Sequence, residues 1–151
     1  MTEFELDVTD KKIIKILQNN SRIHIADIAR KIGNLTENAI RYRIEKLENE
    51  GYISNYTIRL DPKKFGKNII AIFSFNVLPD NIKAALDYLK SLNYFTQIYL
   101  TTGNISIIAI GYFENRDEIT KFITKNLKYI KVIDYNVITV LDKVKHELYA
   151  I

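Results

Sequence analysis

The chain has 151 residues, 47% hydrophobic and 26% charged, with five Gly, two Pro and no Cys. That much apolar content with so little Gly and Pro excludes disorder and collagen-like repeats, and the lack of Cys excludes disulfides, thiolate nucleophiles and Cys-bound zinc. A net charge of +4 permits a polyanionic partner without requiring one.

The longest apolar runs, such as Ile69 to Phe73 and Ile107 to Ile110, fall short of the roughly 20 residues that a membrane span needs. The acidic start Met-Thr-Glu-Phe-Glu-Leu-Asp lacks the pattern of a secretory signal. A cytoplasmic protein with no membrane partner is expected. His24 and His146 stand far apart and without close acidic or His neighbours, so no metal site and no cofactor is expected, and both read as packing residues.

Charge is unevenly spread. Residues 1 to 10 carry Glu3, Glu5, Asp7 and Asp10 and no base, whereas residues 22 to 46 carry Arg22, Arg30, Lys31, Arg41, Arg43 and Lys46 against Asp27, Glu37 and Glu45.

In chain order, Ile13, Ile14, Ile16 and Leu17 recur at helical spacing between Thr9 and Gln18, with Lys11, Lys12 and Lys15 opposite them. Asp7 or Thr9 suits the N-cap, and Gln18-Asn19-Asn20-Ser21 ends the helix. A second helix spans Ile25 to Ile32, with Ile25, Ile28, Ala29 and Ile32 on one face. Gly33-Asn34 stops it, since both residues tolerate the left-handed conformation. Thr36 is a good N-cap for a third helix running to about Asn49.

In that third helix Ile40, Ile44 and Leu47 form the apolar stripe. Glu37, Asn38, Arg41, Tyr42, Glu45 and Lys46 take the exposed faces. Two short helices around a Gly turn, the second presenting Asn and Arg, suit a DNA major groove, where both side chains can make paired hydrogen bonds to base edges. A solvated surface, with Arg41 pairing Glu45 at i and i+4, fits the same spacing. Residues Tyr52 to Leu60 are rich in β-formers, with Ser54-Asn55 as a turn, in the manner of a wing. The polar stretch from Asp61 to Lys67, with its Pro and Gly, reads as a linker.

The run Leu6-Asp7, Asp10, Ile14, Leu17-Gln18-Asn19, Arg22, Ile28-Ala29, Arg43-Ile44, Leu47-Glu48, Gly51, Ile53, Tyr56, Leu60-Asp61-Pro62 and Gly66 resembles the winged helix-turn-helix of the Lrp/AsnC, or feast/famine, transcription regulators. The resemblance implies a double-stranded DNA partner. Thr36 would bind a phosphate while capping its helix, and Glu37, Asn38, Arg41 and Tyr42 would face the groove, with Lys46 on the same helix. Arg22 and Arg43 match basic positions that either hold the phosphate backbone or brace the fold; for Arg43, Glu48 or Glu50 is the partner expected in the second case. One departure from the family lies in the turn, where Asn34 is inserted and Thr36 takes the usual Ser position.

From residue 69 the pattern changes. Ile69, Ala71, Phe73, Phe75 and Val77 alternate with Ile70, Ile72, Ser74 and Asn76, which marks a strand. Both faces are apolar at its start, so the side away from the helices is expected to pack on another subunit. A helix beginning at Pro79-Asp80 follows, burying Ile82, Ala85, Leu86 and Leu89. Strands Gln97 to Thr102 and Ile105 to Phe113 are joined by Gly103-Asn104. A second helix from about Asp117 to Lys128 buries Ile119, Phe122, Ile123 and Leu127, and a last strand runs from Val132 to Leu141.

The expected fold is therefore α+β: a winged helix-turn-helix over residues 1–62, a linker over 63–68, and a ferredoxin-like βαββαβ domain over 69–151, an antiparallel sheet with two helices on one face. The second domain resembles the family's effector-binding and oligomerisation domain, which implies a homodimer, higher oligomers, a pseudo-palindromic DNA site, and an amino acid or other small molecule as effector. Where the family carries Gly-Asp-x-Asp, this chain has Gly103, Asn104, Ile105 and Ser106, and the usual Thr of the last strand falls at Val137. Both carboxylates that would hold a ligand's ammonium group are replaced by neutral acceptors. Thr101, Thr102, Gly103, Asn104 and Ser106 remain as effector-site candidates, with ordinary hairpin surface as their other reading.

No catalytic residue is expected. Some tetrapyrrole decarboxylases resemble these regulators, but the second half offers only Arg116 and His146 for such chemistry. A low-specificity, architectural DNA-binding protein is the other alternative.

Overall fold

In the computed structural model, which describes residues 5–144, the first helix, α1 (Val8–Asn19), is opened by Asp7 and not by Thr9. The Asp7 carboxylate accepts from the Asp10 N–H at 2.7 Å and the Asp10 carboxylate accepts from the Asp7 N–H at 3.1 Å. This reciprocal capping box satisfies two of the amide groups that a helix start leaves without partners. Asn20 ends the helix, and its side chain accepts from the Arg22 N–H. Helix α2 (Ile25–Ile32) stops at Gly33, whose φ of 92° is the left-handed geometry that closes a helix at little cost only without a Cβ. Thr36 caps α3 (Glu37–Asn49) by accepting from the Ala39 N–H.

The three helices share one core. Ile13, Ile14, Ile28, Ile40 and Leu47 are buried there, with Leu17, Ile25, Ala29, Ile32, Ile44 and Ile53 packed around them. This unit extends to Arg59, and a second compact unit comprises Leu60–Val144.

The wing expected over residues 52–60 does not form as a strand pair, and residues 53–60 carry no strand. Their β-forming side chains have no pleated, half-buried surface to fit, and a two-stranded ribbon of about three residues per arm is marginal by itself. Instead, the Ile53 N–H donates to the Leu47 carbonyl, the Ile53 side chain packs on the helical core, and residues 54–60 are exposed. The stretch expected as linker begins with a 3-10 turn, Pro62–Phe65, ended by Gly66.

The second unit builds β1 (Ile69–Val77), α4 (Ile82–Ser91, preceded by the 3-10 turn Pro79–Asn81), β2 (Phe95–Leu100), β3 (Ile107–Phe113), α5 (Arg116–Ile130) and β4 (Val132–Thr139). The strands form one sheet in the order β2-β3-β1-β4 with antiparallel neighbours, the ferredoxin-like arrangement. Ala71, Phe73, Phe75 and Val77 of β1 and Ile107, Ala109 and Phe113 of β3 are buried against Ala85 and Leu89 of α4 and Ile119, Phe122 and Ile130 of α5. Phe73 is central: its ring lies 5.0 to 5.8 Å from those of Phe75, Phe95, Phe113 and Phe122.

The middle hairpin is looser than expected, with β2 ending at Leu100 and β3 starting at Ile107. The Thr101 N–H still donates to the Ser106 carbonyl and the Ser106 N–H to the Phe75 carbonyl, both at 2.9 Å, and side-chain bonds add to them. The Thr101 hydroxyl donates to the Ile105 carbonyl at 2.6 Å, and the Ser106 hydroxyl donates to the Val77 carbonyl and accepts from the Val77 N–H. Gly103 takes the left-handed position with φ 93°.

The face of the sheet away from the helices is apolar over its middle. Ile70 lies opposite Tyr112, and Ile72 lies between Ile110 and Ile138. Most of these side chains are half-buried, and Ile138 is 52% exposed.

Candidate nucleic-acid interface

Helix α3 supplies the candidate interface. Burial of Ile40 and Leu47 fixes its inner side, and at 3.6 residues per turn Asn38, Arg41, Tyr42 and Glu45 then share the outer side. All four are exposed, Tyr42 by 66%. The Arg41–Glu45 pair that the spacing also allowed does not form, and among the described residues the Arg41 guanidinium has no partner, which leaves it available for recognition. Among the described residues Asn38 has no side-chain partner either, and it offers one donor and one acceptor side by side, the pattern that matches an adenine edge; the Arg41 fork matches guanine.

Thr36 and Glu37 sit at the N-terminal end of α3. The Thr36 oxygen accepts the capping bond, which leaves its O–H as a donor for a phosphate oxygen. Glu37 is exposed in the first turn, where its charge complements the helix dipole. Lys46 is half-buried at the border of the face. Arg22 is exposed in the turn between α1 and α2, away from α3 in the sequence but within the same unit.

Arg43 departs from both partners named for it in the sequence. Its Nη1 donates to Asp7 Oδ2 at 2.6 Å and to Asp10 Oδ1 at 2.7 Å, and neither Glu48 nor Glu50 pairs with it. The Asp10 side chain is only 4% exposed and that of Arg43 29%, so this side chain braces the fold. The hydrogen bonds that Arg43 donates to Asp10 and Asp7 raise its pKa. The Asp10 backbone N–H, and after it Arg43, hold the Asp7 carboxyl below its ordinary value against the opposing effect of burial.

A second tether escaped the sequence. The Tyr56 hydroxyl donates to Glu48 Oε1 at 2.6 Å, joining the extended segment after α3 to the last turns of that helix. Burial and the Glu48 carboxylate push the Tyr56 phenol up to about 12. The signal for this pair, a Tyr eight residues after a Glu across a Gly turn, has no fixed spacing and reads equally as surface.

In the second unit, the five effector candidates lie together on the β2–β3 connection. The hydroxyls of Thr101 and Ser106 are engaged by backbone groups, as described above, while Thr102, Gly103 and Asn104 are exposed. Val137 is half-buried and packs on the aromatic core. His24 is exposed at the start of α2, where its carbonyl accepts from the Asp27 and Ile28 N–H groups, and His146 lies outside the described residues. Among the described residues, no cluster of three or more His, Asp or Glu could hold a metal, and no helix is long and apolar enough to cross a membrane.

The profile of a family described as winged helix-turn-helix DNA-binding matches residues 6–54. The HTH-type transcriptional regulator LrpA of Pyrococcus horikoshii is 30% identical over 81% of this chain and 86% of its own. A Pyrococcus furiosus transcriptional regulatory protein of the AsnC family superposes with a TM-score of 0.84 at 26% identity, covering 93% of each chain. A Neisseria meningitidis transcriptional regulator, solved as a complex with L-Met, shares the fold with a TM-score of 0.87 at 21% identity over 95% of each chain. With a three-helix unit that matches a DNA-binding profile and a ferredoxin-like unit behind it in sequence, the chain belongs to the Lrp/AsnC family of DNA-binding transcriptional regulators.

Proposed function

We propose that this regulator binds double-stranded DNA as a homodimer, the two copies of α3 reading the half-sites of a pseudo-palindrome. The observation that carries the reading is the outer face of α3, where Asn38, Arg41 and Tyr42 stand exposed side by side. Two copies related by a two-fold axis would read half-sites about 10 bp apart, or multiples of that distance. Residues 1–62 are the DNA-reading part, 63–68 the connection, and 69–151 the part that assembles and senses. The regulator works in the cytoplasm and carries no catalytic activity.

The outer sheet face supports assembly. An antiparallel sheet with one solvated face ordinarily alternates polar residues outward, whereas Ile70, Ile72, Ile108, Ile110, Tyr112 and Ile138 lie outward here. A contiguous apolar surface of this kind marks an association site, and a second copy of the same face is complementary to it. For an effector, Thr102, Asn104 and the Gly103 main chain offer neutral hydrogen bonds and no carboxylate. The L-Met complex of the Neisseria regulator supports a small-molecule ligand for this scaffold. The residues present here favour a ligand without a free ammonium group, or one held by main-chain atoms.

Selection of duplexes from a random-sequence library with the full chain, paired with sedimentation analysis, tests the reading. A two-fold symmetric motif and a dimer at micromolar concentration are expected, with Ile110→Asp sedimenting as a monomer. Selected duplexes with no common motif would overturn sequence-specific regulation, and a monomeric wild-type chain would overturn the dimer.

A further inference from the structure

Arg43 follows Tyr42 and lies about 100° further round the helix, on the flank between the exposed face of α3 and its apolar stripe. That stripe, Ile40, Ile44 and Leu47, holds the helix against the core. Burial of that stripe sets which side of the helix faces inward, but hydrophobic contact is non-directional and sets the finer angle less sharply. Hydrogen bonds are directional, and Arg43 Nη1 makes two of them, to Asp7 Oδ2 at 2.6 Å and to Asp10 Oδ1 at 2.7 Å. Neither carboxylate is free to follow a turning helix. The second oxygen of each is held by the other residue's backbone N–H, Asp7 Oδ1 at 2.7 Å and Asp10 Oδ2 at 3.1 Å. All four carboxylate oxygens are therefore occupied in a closed ring that locks the first turn of α1 to the middle of α3.

We infer that Arg43 is a positioning residue for DNA reading: the Asp7–Asp10 ring fixes the rotation of α3 and so the direction in which Asn38, Arg41 and Tyr42 point. The inference rests on α3 being the base-reading helix. Two acids beside a DNA-reading helix oppose DNA by their charge, yet here they sharpen recognition.

The test uses the full chain, a duplex selected by the wild type from a random library, and poly(dI-dC) as the non-specific DNA. Asp10→Asn keeps the shape of the side chain and removes one negative charge. It is expected to lower the ratio of selected to non-specific affinity about tenfold, the loss of one misaligned base contact, while non-specific affinity holds or rises. Arg43→Met is expected to lower the ratio likewise and to leave the slope of log affinity against log salt unchanged. If Arg43 instead holds a phosphate, Arg43→Met weakens both DNAs alike and reduces that slope by about one, which overturns the inference. Tighter binding of Asp10→Asn to both DNAs at an unchanged ratio also overturns it. Thermal unfolding of each variant checks that it is folded, and Asp7→Asn, whose side chain is 49% exposed, gives a milder form of the same test. A wild-type chain that selects no common motif would sink the base-reading role of α3 itself, whereas a wild-type preference that survives all three substitutions would sink only the positioning role.

Discussion

Arg43 Nη1 lies 2.7 Å from Asp10 Oδ1, a charge-assisted bond across 33 residues of sequence that joins the middle of α3 to the first turn of α1. Removing one member of a buried ion pair leaves the other charge desolvated and unpaired. Asp10→Ala also deletes half of the capping box. It is expected to cost about 2 to 3 kcal/mol, toward the lower end for buried pairs because Arg43 is 29% exposed. Urea unfolding of the helical unit, followed by far-UV circular dichroism, reads this cost.

The same ring makes the helical unit acid-sensitive. The Asp7 carboxyl is held below its ordinary value, first by the Asp10 N–H and then by Arg43. The folded state therefore takes up this proton less readily than the unfolded state. Its contribution is present above the unfolded value of about 4 and is lost as pH falls through the folded value. Asp7→Asn is expected to flatten the acid limb of a stability–pH curve below about pH 4, while lowering stability at pH 7.

Tyr56 predicts the opposite limb. With its phenol pushed up to about 12 by burial and by Glu48, the folded state keeps a proton that the unfolded state releases near 10. Its contribution is complete below about pH 10 and declines as pH rises toward 12. Ultraviolet titration of tyrosinate is expected to lose its latest-ionising component in Tyr56→Phe, and an unchanged titration curve would refute the tether to Glu48.

Gly111 sits in β3 opposite Ala71 of β1 and Phe95 of β2. A Cβ there would meet the Tyr94 carbonyl oxygen at 2.7 Å and the Phe113 ring at 3.0 Å. Because the first of these is backbone, relief requires the strands to part. Gly111→Ala is expected to destabilise the sheet unit by about 1 to 3 kcal/mol, read as a lower thermal midpoint with the helical unit unaffected.

Much of this was legible in the sequence, for definite reasons. Ile25, Ile28, Ala29 and Ile32 recur on one helical face, and the Gly after them fixes the stop, so α2 was delimited to the residue. The alternation from Ile69 to Val77 likewise marked β1 and its buried face. The wing was not legible, because β propensity describes a fit to a surface and residues 53–60 meet none. The role of Arg43 was hidden for another reason. Its partners lie 33 and 36 residues away, beyond the reach of any local spacing rule. In the hairpin, residue types alone suggested hydroxyls for a ligand, while the structure commits Thr101 and Ser106 to the Ile105 and Val77 backbone.

The most direct test of the central claim is the ratio of affinities for a selected duplex and for non-specific DNA, measured for the wild type and for Asn38→Ala and Arg41→Ala. Neither side chain has a partner among the described residues, so neither substitution should disturb folding. A fall in the ratio of about fivefold to a hundredfold for each variant is expected, the loss of one bidentate base contact, with the wild-type preference relaxed at one base pair per half-site. Equal loss on both DNAs, or no loss on either, would show that α3 does not read bases and would leave a protein that packs DNA without reading it.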